Sequence, residues 1–302
     1  MPVTHDVSAG AGRRLHVVED GDPNGWPVLV HPGTPGGAEP LLRAWVDDAH
    51  ARGIRLVSYD RPGYGPSTPQ PGRRIVDAAA DAAAIADALA FDRFATWGTS
   101  GGGPHALACA ARLAGRVSAA ASLGSPAPFD AAGLDWFAGQ AEDNVVEHGA
   151  AVEGVAALTR LLAPARNGML GAEPAQMRAA MGDLLHPLDA ALFDDEVSAF
   201  LLRGSQHGLA SGLDGWVDDD RAFVTPWGFD LAAIRVPVLL MHGEHDRFIP
   251  VAHGRWLAAR IPRVDARISG DDAHLTLSIR RIPEVHEWLL KQSTSSSPTS
   301  AT

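Results

Sequence analysis

A serine flanked by glycines constrains the fold of this chain more than any other feature. Residues 98–102 read GTSGG, after a short apolar run at 94–97 and before an alanine-rich segment at 104–113 that has the pattern of a helix. A serine at so sharp a strand-to-helix turn adopts a strained backbone conformation, and only small neighbours let the two segments pass closely. Because the start of a helix also favours negative charge, Ser100 is the leading candidate nucleophile.

Strand-like and helix-like patterns alternate on both sides of Ser100. Strands are predicted at 15–18, 28–31, 54–59, 117–123, 236–242 and 264–268. Helices are predicted in the segment that ends at Gly53, at 75–90, 104–113 and 251–261, and in a last segment ending near Leu290. This order predicts an α/β fold with a mostly parallel, doubly wound sheet.

The pattern becomes helical and interrupted by loops between the predicted strands at 117–123 and 236–242. We therefore divide the chain into a first part of the α/β core at 1–128, an inserted helical lid at 129–227, and a second part of the core at 228–292. Residues 293–302 are rich in Ser and Thr, and we expect a disordered tail there.

Composition narrows the class of protein. Hydrophobic residues make up 46% of the 302 residues and charged residues 20%, which is typical of a soluble globular protein. The net charge of −11 argues against a nucleic-acid partner. No apolar run is long enough to span a membrane, and the start does not resemble a signal peptide. The single cysteine, Cys109, cannot form an internal disulfide. A cytoplasmic location is therefore expected. The acidic run at 218–220 is interpreted as a solvated loop.

A serine nucleophile needs a base and a group that orients the base. His274 follows the last predicted strand and Asp246 follows the strand that ends at 242, so both lie where a parallel sheet collects catalytic groups. Asp60, Asp271 and Asp272 are alternative acids, which we weight lower than Asp246.

The chain resembles the α/β-hydrolase family in four motifs: the Ser100 turn, the acid loop at 243–250, the His274 loop, and the segment HPGTPGG at 31–37. The order Ser100, Asp246, His274 is also that of the family. The resemblance implies a Ser-His-Asp triad. It also implies that the backbone N–H groups of Gly101 and Thr34 stabilise an oxyanion. In an alternative alignment, Gly33 takes the place of Thr34.

This resemblance implies a serine hydrolase that acts on a small ester or related acyl substrate without a cofactor. The pair His242 and His245 does not have the helical spacing of a zinc site, so no metal is expected. The chain is also partly similar to proline iminopeptidases and to esterases with a lid, although Gly101 replaces the aromatic residue usual after the iminopeptidase nucleophile. An aminopeptidase, or a non-catalytic ligand-binding protein on the same fold, are therefore the alternatives.

Overall fold

The computed structural model describes residues 2–181 and 185–295. An eight-stranded sheet lies at its centre. The strands are β1 (Val3–Ser8), β2 (Arg14–Gly21), β3 (Trp26–His31), β4 (Ile54–Tyr59), β5 (Phe94–Thr99), β6 (Val117–Leu123), β7 (Val238–Gly243) and β8 (Val264–Ser269). Every strand predicted from the sequence is present. The sequence patterns missed β1, because in this edge strand only Val7 is buried and the apolar signal is weak.

The strand order is β1-β2-β4-β3-β5-β6-β7-β8. β1 and β2 pair antiparallel to their neighbours, and the rest of the sheet is parallel, as predicted. After β3 the chain adds β4 on one side and β5 on the other, so the order reverses at β3 and β5. Ligand sites in open α/β sheets form at the carboxyl ends of strands beside such a reversal. The loop after β3 and the turn after β5 therefore meet at one edge.

Helices cover both faces of the sheet. The α-helices of the described residues are α1 (Arg43–Ala51), α2 (Ala78–Ala88), α3 (Gly103–Arg112), α4 (Glu142–Glu153), α5 (Val155–Leu170), α6 (Pro174–Met181), α7 (Pro187–Ala190), α8 (Asp195–Leu209), α9 (Asp214–Phe223), α10 (Val251–Ala258), α11 (Leu275–Arg280) and α12 (Ile282–Ser295). Alternate strand residues enter different apolar clusters, with Leu29 packing on the side of α3 and Val28 on the side of α1 and α12. This two-sided burial explains the nearly continuous apolar strands.

The described residues between β6 and β7 form helices α4 to α9, which we call the helical insertion. Its last helix, α9, contains Asp218, Asp219 and Asp220. The prediction of a solvated loop at these residues is wrong, because they are helical and only 7%, 0% and 1% exposed. Asp219 pairs with Arg61 and Arg73 of the core, and Asp218 accepts the Gly72 N–H, contacts that local sequence does not reveal.

The C-terminal helix α12 continues to Ser295, into the segment predicted to be a disordered tail. The Ser293 hydroxyl lies 2.8 Å from the Ser118 hydroxyl of β6 and is buried. Residues 296–302 of the predicted tail lie outside the described residues. Within the described ranges, no helix has the length and apolar character needed to cross a membrane.

Candidate active site

Ser100 lies at the carboxyl end of β5, where a single 3-10 turn, Ser100–Gly102, leads into α3. Its φ of +51° is uncommon for a residue with a side chain, and such strain persists only where the surroundings enforce it. Packing in the turn is tight, since a Cβ on Gly98 would lie 2.2 Å from the carbonyl oxygen of Gly102. The strained turn predicted from the sequence is therefore present.

The loops after β7 and β8 bring Asp246 and His274 into contact. His274 Nδ1 lies 2.7 Å from Asp246 Oδ2. The other carboxylate oxygen, Oδ1, accepts the N–H groups of Phe248 at 2.9 Å and Ile249 at 2.8 Å, which fixes the carboxylate. Because a carboxylate accepts, His274 Nδ1 carries the hydrogen and Nε2 is left as a base.

Opposing effects set the pKa of His274. Burial lowers this pKa, but the charge and hydrogen bond of Asp246, together with the charge of Asp189, outweigh burial and raise the pKa above its ordinary value. Ser100 and His274 line the same cavity. Within residues 2–181 and 185–295 no hydrogen bond joins them, and catalytic hydrogen bonds are often long before substrate binds.

Asp189 of α7 holds the histidine loop from the helical insertion. Its Oδ2 accepts the backbone N–H of His274 at 3.0 Å and its Oδ1 accepts that of Thr276 at 2.9 Å. Asp189 is buried, and burial raises its pKa against the opposing hydrogen bond from Thr276. Sequence reasoning missed this residue, because no motif links position 189 to the loop it supports.

The loop after β3 lies against the Ser100 turn. A Cβ on Gly101 would lie 2.4 Å from Thr34 Oγ1, which shows how closely the two segments approach. Arg61 donates hydrogen bonds to the carbonyl oxygens of Pro32 at 2.5 Å and Gly33 at 3.1 Å. In a trans peptide the N–H points opposite to the C=O, so the N–H groups of Gly33 and Thr34 both point away from Arg61. Arg61 therefore blocks neither N–H group, and Gly33 and Thr34 both stay candidate oxyanion donors.

A buried charge cluster supports this loop from α9. Asp219 pairs with Arg61 and with Arg73 Nη2 at 2.6 Å, and it accepts hydrogen bonds from Thr34 Oγ1 at 2.7 Å and Tyr64 Oη at 2.9 Å. Burial acts to raise the pKa of Asp219, but the two arginine charges lower it far below its ordinary value. Asp219 is therefore ionised and ties α9 to the core.

His105 in α3 lies beside this cluster. Its Nδ1 donates to the carbonyl oxygen of Gly101 at 2.8 Å. Burial, followed by the charge of Arg61, lowers the pKa of His105 to about 3, so the ring is neutral. It supports the nucleophile turn and is not placed as a base.

A cavity of about 390 Å³ lies over Ser100 between the sheet edge and the helical insertion. Ser100, His274, Gly101 and Thr34 all line it, and Asp246 lies behind His274. The rest of the wall is mainly apolar. Its large side chains are Trp45, Trp97, Met169, Met177, Met181, Phe200, Leu201, Trp216, Phe223, Phe248 and Leu275. A volume in this range suits a small, largely apolar ligand.

One acidic pair also lines this cavity. Glu147 of α4 and Asp220 of α9 are neighbours, and Glu147 accepts the indole N–H of Trp216 at 2.8 Å. Burial and the neighbouring Glu147 charge raise the pKa of Asp220 well above its ordinary value, and burial also raises the pKa of Glu147. Both carboxyl groups are therefore harder to ionise than an exposed carboxyl group.

The alternative acids are engaged elsewhere. Asp60 accepts the N–H of Ala38 at 2.6 Å, and Asp272 pairs with Arg281 at 2.9 Å. Asp271 is exposed.

The two histidines considered as a metal-binding pair, His242 and His245, lie in different surroundings. His242 is buried and bonded to the Ile249 carbonyl oxygen at 2.7 Å, whereas His245 is exposed and stacks on His186. In the described part of the chain, the metal-ligating side chains that cluster are His16, Asp60 and His207, none of which lines the cavity.

Comparison with solved structures shows the same architecture. An esterase from Thermogutta terrifontis with malate bound gives a TM-score of 0.64 at 21% identity, covering 97% of this chain and 99% of that one. An enol-lactonase from Burkholderia xenovorans LB400 gives 0.62 at 22% identity, with 95% and 99% covered. A bromoperoxidase from Bacillus anthracis gives 0.69 at 19% identity, with 96% and 100% covered.

A search of curated proteins gives no significant match. The model of the alpha/beta hydrolase fold family matches residues 27–278, from β3 to α11. The chain therefore belongs to the α/β hydrolase fold family.

Proposed function

We propose that this protein is a serine hydrolase that cleaves a small carboxylic ester through an acyl-enzyme on Ser100. The observation that carries the proposal is the 2.7 Å contact between His274 Nδ1 and Asp246 Oδ2 in a cavity that Ser100 also lines. Family membership supports a hydrolase in general. The esterase and lactonase among the similar structures agree with ester cleavage.

In the proposed reaction, His274 Nε2 takes the Ser100 proton as the serine oxygen attacks the ester carbonyl. The N–H groups of Gly101 and of Thr34 or Gly33 receive the oxyanion; one such donor contributes about 3–4 kcal/mol in comparable sites. His274 then returns the proton to the leaving alcohol, and a water molecule releases the acid by the same route. Asp246 keeps the imidazole in the required tautomer throughout.

The cavity wall supports the substrate class. Met169, Met177 and Phe200 give it flexible apolar sides, which accept a short acyl or aryl group without a charge partner. A small neutral ester satisfies this wall better than a highly charged substrate, because a buried charge needs a partner.

Labelling with a fluorophosphonate tests the proposal. We expect the label on Ser100, and we expect Ser100→Ala to lose both the label and ester hydrolysis. Ser205→Ala is the matched control, since Ser205 lines the same cavity and donates to the Pro35 carbonyl oxygen at 3.1 Å, and it should keep the label. Undiminished turnover by Ser100→Ala would exclude the serine mechanism.

The Glu147–Asp220 pair favours a second candidate function, an aminopeptidase that binds a free α-amino group. A buried cationic amine needs a carboxylate, and this pair places two carboxyl groups in the cavity wall. The discriminating substrates are a proline ester and its N-acetylated form, which have the same leaving group. We expect no preference for the free amine. A kcat/KM more than about tenfold higher for the free amine, about 1.4 kcal/mol, would favour the aminopeptidase.

A further inference from the structure

Four ligand-type side chains from separate segments meet outside the cavity. His16 lies in β2, Glu39 in the loop after β3, Asp60 directly after β4, and His207 in α8. Ligand atoms of His16, Asp60 and His207 all lie within 4.8 Å of one another. Glu39 Oε1 lies 3.3 Å from His16 Nε2 and 3.7 Å from His207 Nδ1. His16, Asp60 and His207 thus form one cluster, with Glu39 in contact with both histidines.

The backbone around this group is shaped to bring the side chains together. Asp60 is buried, and its Oδ1 is fixed by the Ala38 N–H at 2.6 Å, while its Oδ2 lies 2.8 Å from His207 Nε2. A Cβ on Gly37 would lie 2.4 Å from His207 Cδ2 and 2.7 Å from Asp60 Oδ1. Glycine at position 37 therefore lets a helix of the insertion approach a buried core carboxylate.

The donor set has a chemical preference. Two imidazoles with carboxylate oxygens are typical ligands of Zn²⁺, whereas Mg²⁺ and Ca²⁺ prefer oxygen ligands alone. The side chains of His16, His207 and Glu39 are 13%, 22% and 37% exposed, so an ion can reach the group from solvent. We propose that His16, Asp60 and His207 bind a zinc ion, with Glu39 beside the site.

This site would link the insertion to the core. The ligand His207 belongs to α8, and Phe200, Leu201 and Ser205 of the same helix line the cavity. A bound ion stabilises the position of this cavity wall and takes no part in the reaction at Ser100. From the sequence we weigh only the His242–His245 pair as a metal site, because His16, Asp60 and His207 lie far apart in sequence and match no local spacing.

Binding of zinc chloride to the full chain, stripped with a chelator, tests the proposal by titration calorimetry. We expect about one ion per chain with a Kd below about 10 μM. His16→Gln and His207→Gln should each weaken binding by about 100-fold or more, since even outer-shell changes cost 10- to 100-fold. Millimolar Mg²⁺ should not displace the ion.

His245→Gln is the matched control, because His245 and His186 form the other close imidazole pair, with ring centroids 4.4 Å apart. It should bind zinc as the wild type does. Loss of binding in this control, or wild-type affinity in either His16→Gln or His207→Gln, would overturn the proposal. Absorption at the zinc K-edge of the wild-type complex needs no variant and should show two imidazoles with oxygen ligands. Any other shell, or no binding at all, also overturns it.

Discussion

Replacing Asp219 by alanine tests whether the buried charge cluster joins the helical insertion to the core. Asp219 is fully buried between Arg61 and Arg73 and also receives hydrogen bonds from Thr34 and Tyr64. Removing one partner of a buried ion pair typically costs about 3–5 kcal/mol, because the remaining charge stays unpaired. Two guanidinium groups are left here, so we expect the upper part of that range. That is a large share of an ordinary free energy of unfolding, about 5–15 kcal/mol.

Urea unfolding measures this loss directly. Asp195→Ala is the matched control, because Asp195 also lies in the insertion and pairs with an arginine, Arg178, but at the surface. The control should change the free energy of unfolding by about 0.5 kcal/mol or less. If Asp219→Ala loses no more than this control, the cluster does not hold the insertion and our reasoning is refuted.

The same variant has a defined pH dependence. The pKa of Asp219 is depressed by Arg61 and Arg73, so its contribution is fully present above the unfolded pKa of about 3.9 and is lost as the pH falls below it. The difference in unfolding free energy between wild type and Asp219→Ala should therefore be constant between about pH 6 and 8, and it should shrink below about pH 4. A difference that grows on acidification would contradict the assignment.

Three further predictions concern the triad. Asp246→Asn should lower kcat by about 10⁴-fold without changing the circular dichroism spectrum, whereas an effect below about tenfold would remove Asp246 from the triad. Because the base must be unprotonated, kcat/KM should rise with pH, and the midpoint of this rise should lie above the ordinary histidine pKa of about 6.5. In Asp246→Asn this rising limb of the pH profile should shift to lower pH. An unchanged limb would contradict the pairing of Asp246 with His274. Asp189→Asn should lower kcat more than it raises KM and shift the limb downward, since Asp189 positions the His274 loop and its charge raises the His274 pKa; a change in thermal stability alone would assign it a purely structural role.

The parts of the fold that the sequence predicts are those with local signals. Parallel strands such as β6 are buried throughout and mostly apolar, and the Ser100 turn has its glycines within two residues. Asp246 and His274 each follow a strand end, so the sheet edge predicts their proximity before any contact is known. Predicting where these two residues lie requires only the order of the strands.

The missed residues act across long sequence separations. Asp219 meets Arg61 only because α9 packs on the core, and a run of three aspartates resembles a solvated loop until those arginines are placed. No local sequence pattern indicates the roles of Asp189 and His207 either, because each binds a segment of the core from within the helical insertion. Tertiary packing, which local pattern does not encode, decides the role of each.

Rapid quenching during turnover of an activated short-chain ester, followed by mass spectrometry of the digested protein, tests the central claim most directly. The proposal predicts a transient acyl group on the peptide that contains Ser100 in the wild type and in Ser205→Ala, and none in Ser100→Ala. Sustained turnover with no acyl group on Ser100 at any time, or with the group on another residue, would contradict it.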